Sequence, residues 1–305
     1  MWAPKGGVLV ASAALAAYSV VVGLLEGVYF AFMALGLNLV FGVVRMVNIA
    51  HGDLVMLGGY LALLLYSAFG ANGLVTFALL FPAFFGVGVA VYYLLVPRLE
   101  GSSDPEMFSF TAFFGISMFV EALATLLFGV SPVSLPARAV LAGSVTLFGY
   151  GLPKVKVLLA GVSAAMLAAT WYYLERTALG RAARAIMQNR EQAAALGVNT
   201  RLATLFAFSY GFALAAMAGV FEPYVLGYIY PSFGGVITVM AFTIVIIGAL
   251  GNPLSSVVGG LIFGVMYAVL SAFVPSLADA ITFLVLLAIM IVRPGGLLGG
   301  AQREV

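Results

Sequence analysis

The chain has no cysteine, one histidine and few charged residues among its 305 residues. Without cysteine it can form neither disulfides nor thiolate metal sites. Lys, Arg, Asp and Glu make up 8% of the residues, whereas an ordinary soluble domain has about 25%. No clustered run of Lys and Arg marks a nucleic-acid-binding surface. The absence of cysteine excludes a disulfide scaffold, and the absence of a basic cluster argues against nucleic acid as a partner.

Apolar residues are abundant instead: 64% of the chain is hydrophobic and the mean hydropathy is +1.17. Apolar runs of about 20 residues are long enough to cross a bilayer as helices. The sequence therefore predicts an all-α integral membrane protein, with residues 1–305 forming one transmembrane domain of about nine helices, within a range of eight to ten. The predicted spans lie near residues 8–44, 53–69, 74–96, 107–129, 155–174, 202–222, 235–250, 255–273 and 277–292. The first run is longer than one crossing requires, so it is either a tilted helix or a hairpin that turns near Glu26-Gly27.

The connections predict an orientation. The 175–201 loop holds more arginine than any other connection, which predicts a cytoplasmic position for it and for the C-terminal tail from Arg293. The 130–154 loop then lies outside, although Arg138, Lys154 and Lys156 on that side run against the rule. Its Pro, Gly and β-branched residues are typical of a short hairpin.

Two interruptions of the apolar pattern carry the polar residues. In the stretch NIAHGD, Gly42 and Gly52 can interrupt helices, while the side chains of Asn48 and Asp53 can cap freed backbone groups. A second interruption, GALGNP, runs from Gly248 to Pro253. We expect broken helices at both places, because irregular backbone at membrane depth is tolerated where protein covers it or where it lines a cavity.

Paired interruptions in the two halves of a transporter indicate a site near the membrane midplane. The predicted translocation path is lined by Asn38, Asn48, His51, Asp53 and Asn252. A purely architectural role for the NIAHGD stretch is the alternative. His51 with Asp53 predicts no metal site, because a metal needs three or four ligands. A proton relay through His51 is chemically better founded, since histidine titrates near neutral pH.

Other ionisable residues also fall within or beside predicted spans. Glu222 and Asp279 lie near predicted outer ends, where we expect them at the membrane–water interface. Glu26 and Glu121 are deeper. Each either pairs with Arg45 or faces a water-filled path.

The 175–201 loop is rich in alanine and is predicted to be a short helix that lies crosswise between two spans. Gly197 can end it as a C-cap, and Asn199 or Thr200 can cap the next span. It is either an amphipathic segment on the lipid surface or a docking helix for a cytoplasmic partner. Its small alanine face favours docking, because membrane-lying helices normally carry bulky apolar residues.

Three stretches together resemble one family. They are LNLVFGVVRMVNIAHGDLVMLGGYLA, GRAARAIMQNREQAAALGVN and IIGALGNPLSSVVGGLIFG. In this order they are similar to the permease subunits of branched-chain amino-acid ABC importers, and the likeness runs from about Gly23 to Gly299. In that family the corresponding loop contacts the ATPase subunit. The resemblance therefore assigns coupling to Gly180, Arg184, Glu191, Ala193, Ala195 and Gly197.

The resemblance also implies the partners and the location. A second homologous permease or a second copy of this chain, two cytoplasmic ATPases that hold ATP and Mg²⁺, and an external substrate-binding protein are expected around a multi-pass subunit in the inner membrane of a prokaryote. The sequence contains no G-x-x-x-x-G-K-[ST] phosphate loop, so no catalytic residue and no cofactor is assigned to the chain itself. Two alternatives are open: the same architecture carrying urea or short amides, and an ion-coupled transporter or channel that works alone.

Overall fold

A computed structural model describes residues 5–293 and 295–298, with side chains from residue 13 onward except that of Asp279. The ends of the predicted domain, residues 1–4 and 299–305, and the side chain of Asp279 lie outside this description. Eleven helices and one two-stranded sheet make up the described part. They are α1 (Lys5–Val44), α2 (His51–Phe69), α3 (Gly73–Glu100), α4 (Pro105–Phe128), β1 (Ser144–Leu147), β2 (Tyr150–Pro153), α5 (Lys154–Arg176), α6 (Ala178–Gln188), α7 (Arg190–Ala195), α8 (Thr200–Val225), α9 (Phe233–Gly248), α10 (Ser256–Phe273) and α11 (Ala278–Val292).

The predicted all-α class is confirmed in the described residues, and the number of apolar helices is roughly consistent with the nine predicted spans. Seven helices are long and apolar enough to cross a membrane, and two shorter apolar helices, Phe233–Gly248 and Ala280–Val292, complete the nine predicted segments. The protein is an all-α membrane protein. The shortness of α9 follows from the interruption that begins directly after Gly248.

The first span is one continuous helix, so the alternative of a hairpin near Glu26-Gly27 is wrong. Gly27 lies inside α1, where its missing side chain admits the backbone of α10: a Cβ there would lie 2.9 Å from the Gly260 carbonyl oxygen and from Leu261 Cα. A glycine in an apolar run is thus a close packing point here rather than a turn.

The helices α1 and α8 form the centre of the bundle. Almost every residue of α8 from Gly211 to Val225 is buried, whereas α4 buries only Ser109, Phe113 and Ala124. The small residues of α8 face neighbours within the chain: Gly211 packs on the backbone of Gly36, and Gly219 on Val55 of α2. These stripes let helix backbones approach closely.

The predicted hairpin in the 130–154 loop is present. Strands β1 and β2 pair antiparallel, with Leu147 opposite Tyr150. The two turn residues, Phe148 and Gly149, both have positive φ (52° and 86°), as the tightest hairpin turns require. The Tyr18 hydroxyl donates to the Gly151 carbonyl at 3.0 Å and fastens the hairpin to α1.

Candidate functional site

The first predicted interruption exists and lies between α1 and α2. Helix α1 ends at Val44, Arg45 takes a left-handed conformation (φ 58°), and α2 begins at His51. His51 Nε2 is 3.0 Å from the Met33 carbonyl. About 16 Å of helix separates Met33 from Val44 at 1.5 Å per residue. The chain therefore turns at the end of α1 and runs back into the bundle before α2 starts.

The free backbone groups of this interruption are bound by Thr238 of α9. The Gly52 amide donates to the Thr238 hydroxyl at 2.9 Å, and the same hydroxyl donates to the Ile49 carbonyl at 2.8 Å. The prediction that Asn48 caps α2 is wrong: the residue before α2 is Ala50, which makes no side-chain cap, and both polar atoms of Asn48 are buried with no partner among the described residues. Thr238 was not found from the sequence because a threonine inside an apolar helix carries no capping signal.

His51 is 1% exposed within this chain, and its ring contacts the backbone of α1. A carbonyl oxygen only accepts hydrogen bonds, so Nε2 carries the proton in the contact with Met33. The ring thereby fastens the start of α2 to the middle of α1. Among the described residues, no group of three or more His, Cys, Asp or Glu side chains is placed to hold a metal ion.

Asp53 is 1% exposed and stands between the first turns of two helices. It lies in the first turn of α2, and its Oδ1 occupies the space beside Gly234 in the first turn of α9. Helix N-termini carry partial positive charge, which favours a carboxylate at this position. The sequence predicted that Asp53 lies at the start of α2, but it did not predict that the start of α9 lies beside it.

The second predicted interruption folds around a single side chain, Asn38 of α1. Its Nδ2 donates to the carbonyls of Ala249 (3.2 Å) and Asn252 (2.7 Å), and its Oδ1 accepts from the Gly251 amide at 2.7 Å. A further contact, Nδ2 to Ser256 Oγ at 3.0 Å, reaches the start of α10. Asn38 thus satisfies backbone groups that the break between α9 and α10 leaves free.

The five predicted path residues come together around α1 in two groups. Asn48, His51 and Asp53 belong to the first break, while Asn38 and Asn252 belong to the second. Asn38, Asn48, His51 and Asp53 are each at most 1% exposed within this chain, and Asn252 is exposed. Their lining of a path stays a prediction.

Two further ionisable residues differ from expectation. Glu222 is fully buried inside the chain rather than exposed to water, and neither carboxylate oxygen has a hydrogen-bond partner among the described residues. Glu26 pairs with Lys156 of α5 rather than with Arg45. Lys156 was one of three basic residues that ran against the predicted orientation, and its positive charge is neutralised by Glu26.

The arginine-rich loop forms two helices, α6 and α7, instead of the single short helix that was predicted. Asn189 separates them in an extended conformation (φ −158°, ψ 111°), and its side chain accepts from the Gln192 amide at 2.9 Å. The predicted caps are confirmed. Gly197 follows α7 with φ 83°, and Asn199 accepts from the Leu202 amide at the start of α8.

Three side-chain contacts fasten this loop to the spans. Arg184 pairs with Glu175 at 2.6 Å, which holds α6 against the end of α5. Arg190 makes two hydrogen bonds to Glu100, at 2.5 and 3.0 Å, which join α7 to the end of α3. Arg45 donates to the Met187 carbonyl at 3.1 Å, which joins α6 to the first break. The loop is therefore connected to the membrane helices at three points.

The tip of the loop is an exposed surface that includes an apolar side chain. Glu191, Ala195 and Gly197 are exposed, and Leu196 is 85% exposed. Gly180 and Ala193 are buried and pack inside the chain, so they are not part of this exposed surface. Leu196 was missed in the sequence because one leucine beside alanines does not distinguish an exposed from a buried position.

Comparisons with known proteins agree on one family. The family model described as "Branched-chain amino acid transport system / permease component" matches residues 19–102 and 155–292. Among curated relatives, the chain is 28% identical over 292 residues to LivH of Salmonella typhimurium, a high-affinity branched-chain amino acid transport system permease protein. It is 27% identical to LivH of Escherichia coli and to BraD of Pseudomonas aeruginosa, which carry the same description. Each alignment covers 92% of this chain and 95% of the relative. No solved structure shows a significant match.

Proposed function

Because this chain belongs to the family of branched-chain amino acid transport permeases, we propose that it is the membrane-spanning subunit of an ATP-driven importer for branched-chain amino acids. It would pair with a second permease or a second copy of itself. Two cytoplasmic ATPases would supply ATP hydrolysis, and an external binding protein would deliver the substrate. The subunit would lie in the inner membrane of a prokaryote, with the α6–α7 loop and the C-terminal tail in the cytoplasm.

The observation that carries the proposal is the construction of the α6–α7 loop. Its exposed tip presents Leu196 and Ala195, while Arg190 and Arg184 fix its base to α3 and α5. An exposed apolar residue on a rigidly held loop is suited to docking in a cleft of a partner. A loop that merely linked two spans would need no such ties to other helices.

The proposed mechanism uses these contacts to move the spans. Closure of the ATPases would displace α7, and the Arg190–Glu100 pair would pass the displacement to α3. The contact between Arg45 and Met187 would pass it to the first break, where α2 starts. Both breaks are hydrogen-bonded to α1. Their displacement would therefore change access to the translocation path from the outside to the inside of the membrane.

Transport by the assembled complex tests the proposal. The chain is co-expressed with two ATPases, a second permease and a binding protein of such a system, and the complex is reconstituted in liposomes. We expect uptake of radiolabelled leucine only with ATP and the binding protein, and competition by isoleucine and valine but not by urea. Uptake without the ATPases, driven by an ion gradient, would contradict the proposal in favour of a transporter that works alone.

A further inference from the structure

A partly open cavity of about 360 Å³, with polar and apolar lining, lies at the hairpin end of the bundle. Its walls are α1, α10 and the segment that connects α8 to α9. Its volume falls within the range of small-molecule sites, about 300–1,000 Å³. Its polar and aromatic lining includes Tyr18, Ser19, Glu26, Tyr228, Phe233 and Ser271. None of the predicted path residues lines it.

Glu26 lines this cavity and is paired with Lys156, which lies behind the lining, and this ion pair distinguishes the cavity from a packing gap. Glu26 Oε1 lies 2.5 Å from Lys156 Nζ, and their side chains are 10% and 20% exposed. The same ammonium lies 3.5 Å from the Val225 carbonyl. Removing two charges from water costs free energy that the pairing often fails to recover, so stability alone is a weak reason for such a pair. Ionisable groups within membrane spans mark functional sites by default.

We propose that this cavity is the outer binding site for a zwitterionic amino acid, with Glu26 taking the ammonium group and Lys156 the carboxylate. The inference rests on the proposed function and adds the place and the residues at which the substrate binds. Binding would exchange one ion pair for two: Glu26 would release Lys156 to hold the substrate ammonium, and Lys156 would turn to the substrate carboxylate. No unpaired charge is left buried at any stage of this exchange.

The rest of the lining suits a branched aliphatic side chain. Val22, Phe233 and Ala268 supply apolar surface beside Glu26. A neutral solute such as urea has no charge with which to replace either partner of the ion pair. The cavity therefore favours an amino acid over the neutral cargo that the sequence left open.

Kinetics of the reconstituted complex test the assignment. Glu26→Gln and Lys156→Met each remove one charge, and each is expected to raise the KM for leucine about tenfold while leaving the maximal rate nearly unchanged. Lys154→Met is the matched control on the same helix. Lys154 is exposed and has no ion pair among the residues that the structure describes, so its KM should stay at the wild-type value.

Analogues that lack one charge provide a second measurement. Leucinamide has no carboxylate and 4-methylpentanoate has no ammonium group, so each is expected to compete with leucine at least tenfold more weakly than isoleucine does. Equal competition by either analogue would overturn the assignment. These measurements use the wild-type complex and do not depend on the folding of a variant.

A reversed pair, Glu26→Lys with Lys156→Glu, separates recognition from a structural role. It keeps the ion pair, so the chain should assemble and elute as the wild type does in size-exclusion chromatography. Its KM should still rise, because the charges are exchanged relative to the apolar wall. A wild-type KM in this variant, whether or not the single variants are impaired, would overturn the inference while leaving the proposed function intact. Absence of leucine uptake by the wild type would contradict the proposed function itself.

Discussion

At the scale of single residues, the breaks depend on two side chains that each bind several backbone groups. Thr238 binds an amide and a carbonyl of the first break, and Asn38 binds two carbonyls and an amide of the second. Thr238 is separated from Gly52 by 186 positions, and Asn38 from Asn252 by 214. Local sequence therefore predicts where a break occurs but not which distant residue satisfies it.

Replacing Thr238 with valine tests this role. Valine keeps the side-chain shape but leaves the Gly52 amide and the Ile49 carbonyl without their partner, which should destabilise the protein by about 1–3 kcal/mol. A lowered midpoint of thermal unfolding in detergent is the measurement. Thr243→Val in the same helix is the control, since that hydroxyl donates only to the Val239 carbonyl one turn earlier. Equal shifts for the two variants would show that Thr238 has no special role.

At the scale of helices and strands, periodicity and turn residues predicted most of the fold. Nine apolar segments, two breaks and the hairpin were predicted correctly, because each has a local signal in length, glycine content or turn chemistry. The local sequence did not show whether α1 is a single helix or a hairpin. A glycine such as Gly27 is compatible with a turn, and its close contact with α10 in the folded chain is what shows that it lies inside a helix. The division of the loop at Asn189 was missed for a similar reason, since asparagine both caps and interrupts helices.

A substitution at Leu196 tests whether the exposed tip beyond α7 binds the ATPases. Leu196→Asp places a charge where an apolar side chain would enter the ATPase, so we expect the ATPases to be lost from the purified complex. The membrane domain itself should fold normally, because Leu196 is 85% exposed and makes few internal contacts. Co-purification and size-exclusion chromatography are the measurements. Ser103→Asp, which adds the same charge to another exposed connection, should retain the ATPases. Retention by both variants would remove Leu196 from the docking surface.

At the scale of the whole molecule, the ion pairs lie at the two ends of the bundle. Glu26–Lys156 lies at the hairpin end, whereas Arg184–Glu175 and Arg190–Glu100 lie at the end that carries α6 and α7. Two of them join helices far apart in sequence, with 130 positions between Glu26 and Lys156 and 90 between Glu100 and Arg190, whereas Glu175 and Arg184 lie nine positions apart on consecutive helices. Glu26, Lys156 and Arg184 were noticed in the sequence, but their partners were not predicted. Pairing is a property of the packed bundle, because side chains distant in sequence become neighbours only when helices pack.

Substitutions in the Arg190–Glu100 pair test whether movement of the α6–α7 loop is passed to the membrane helices. Arg190→Ala and Glu100→Ala each remove the tie between α7 and α3. Under the proposed function, each should therefore lower ATP-driven leucine uptake more than it lowers ATP hydrolysis. The reversed pair, Arg190→Glu with Glu100→Arg, restores the attraction and should recover much of the uptake, as expected for residues in direct contact. Arg98→Ala is the matched control, because Arg98 donates only to carbonyls of its own helix. If the reversed pair transported no better than the single variants, the displacement of α7 would have to reach the spans through Arg45 and Arg184 instead.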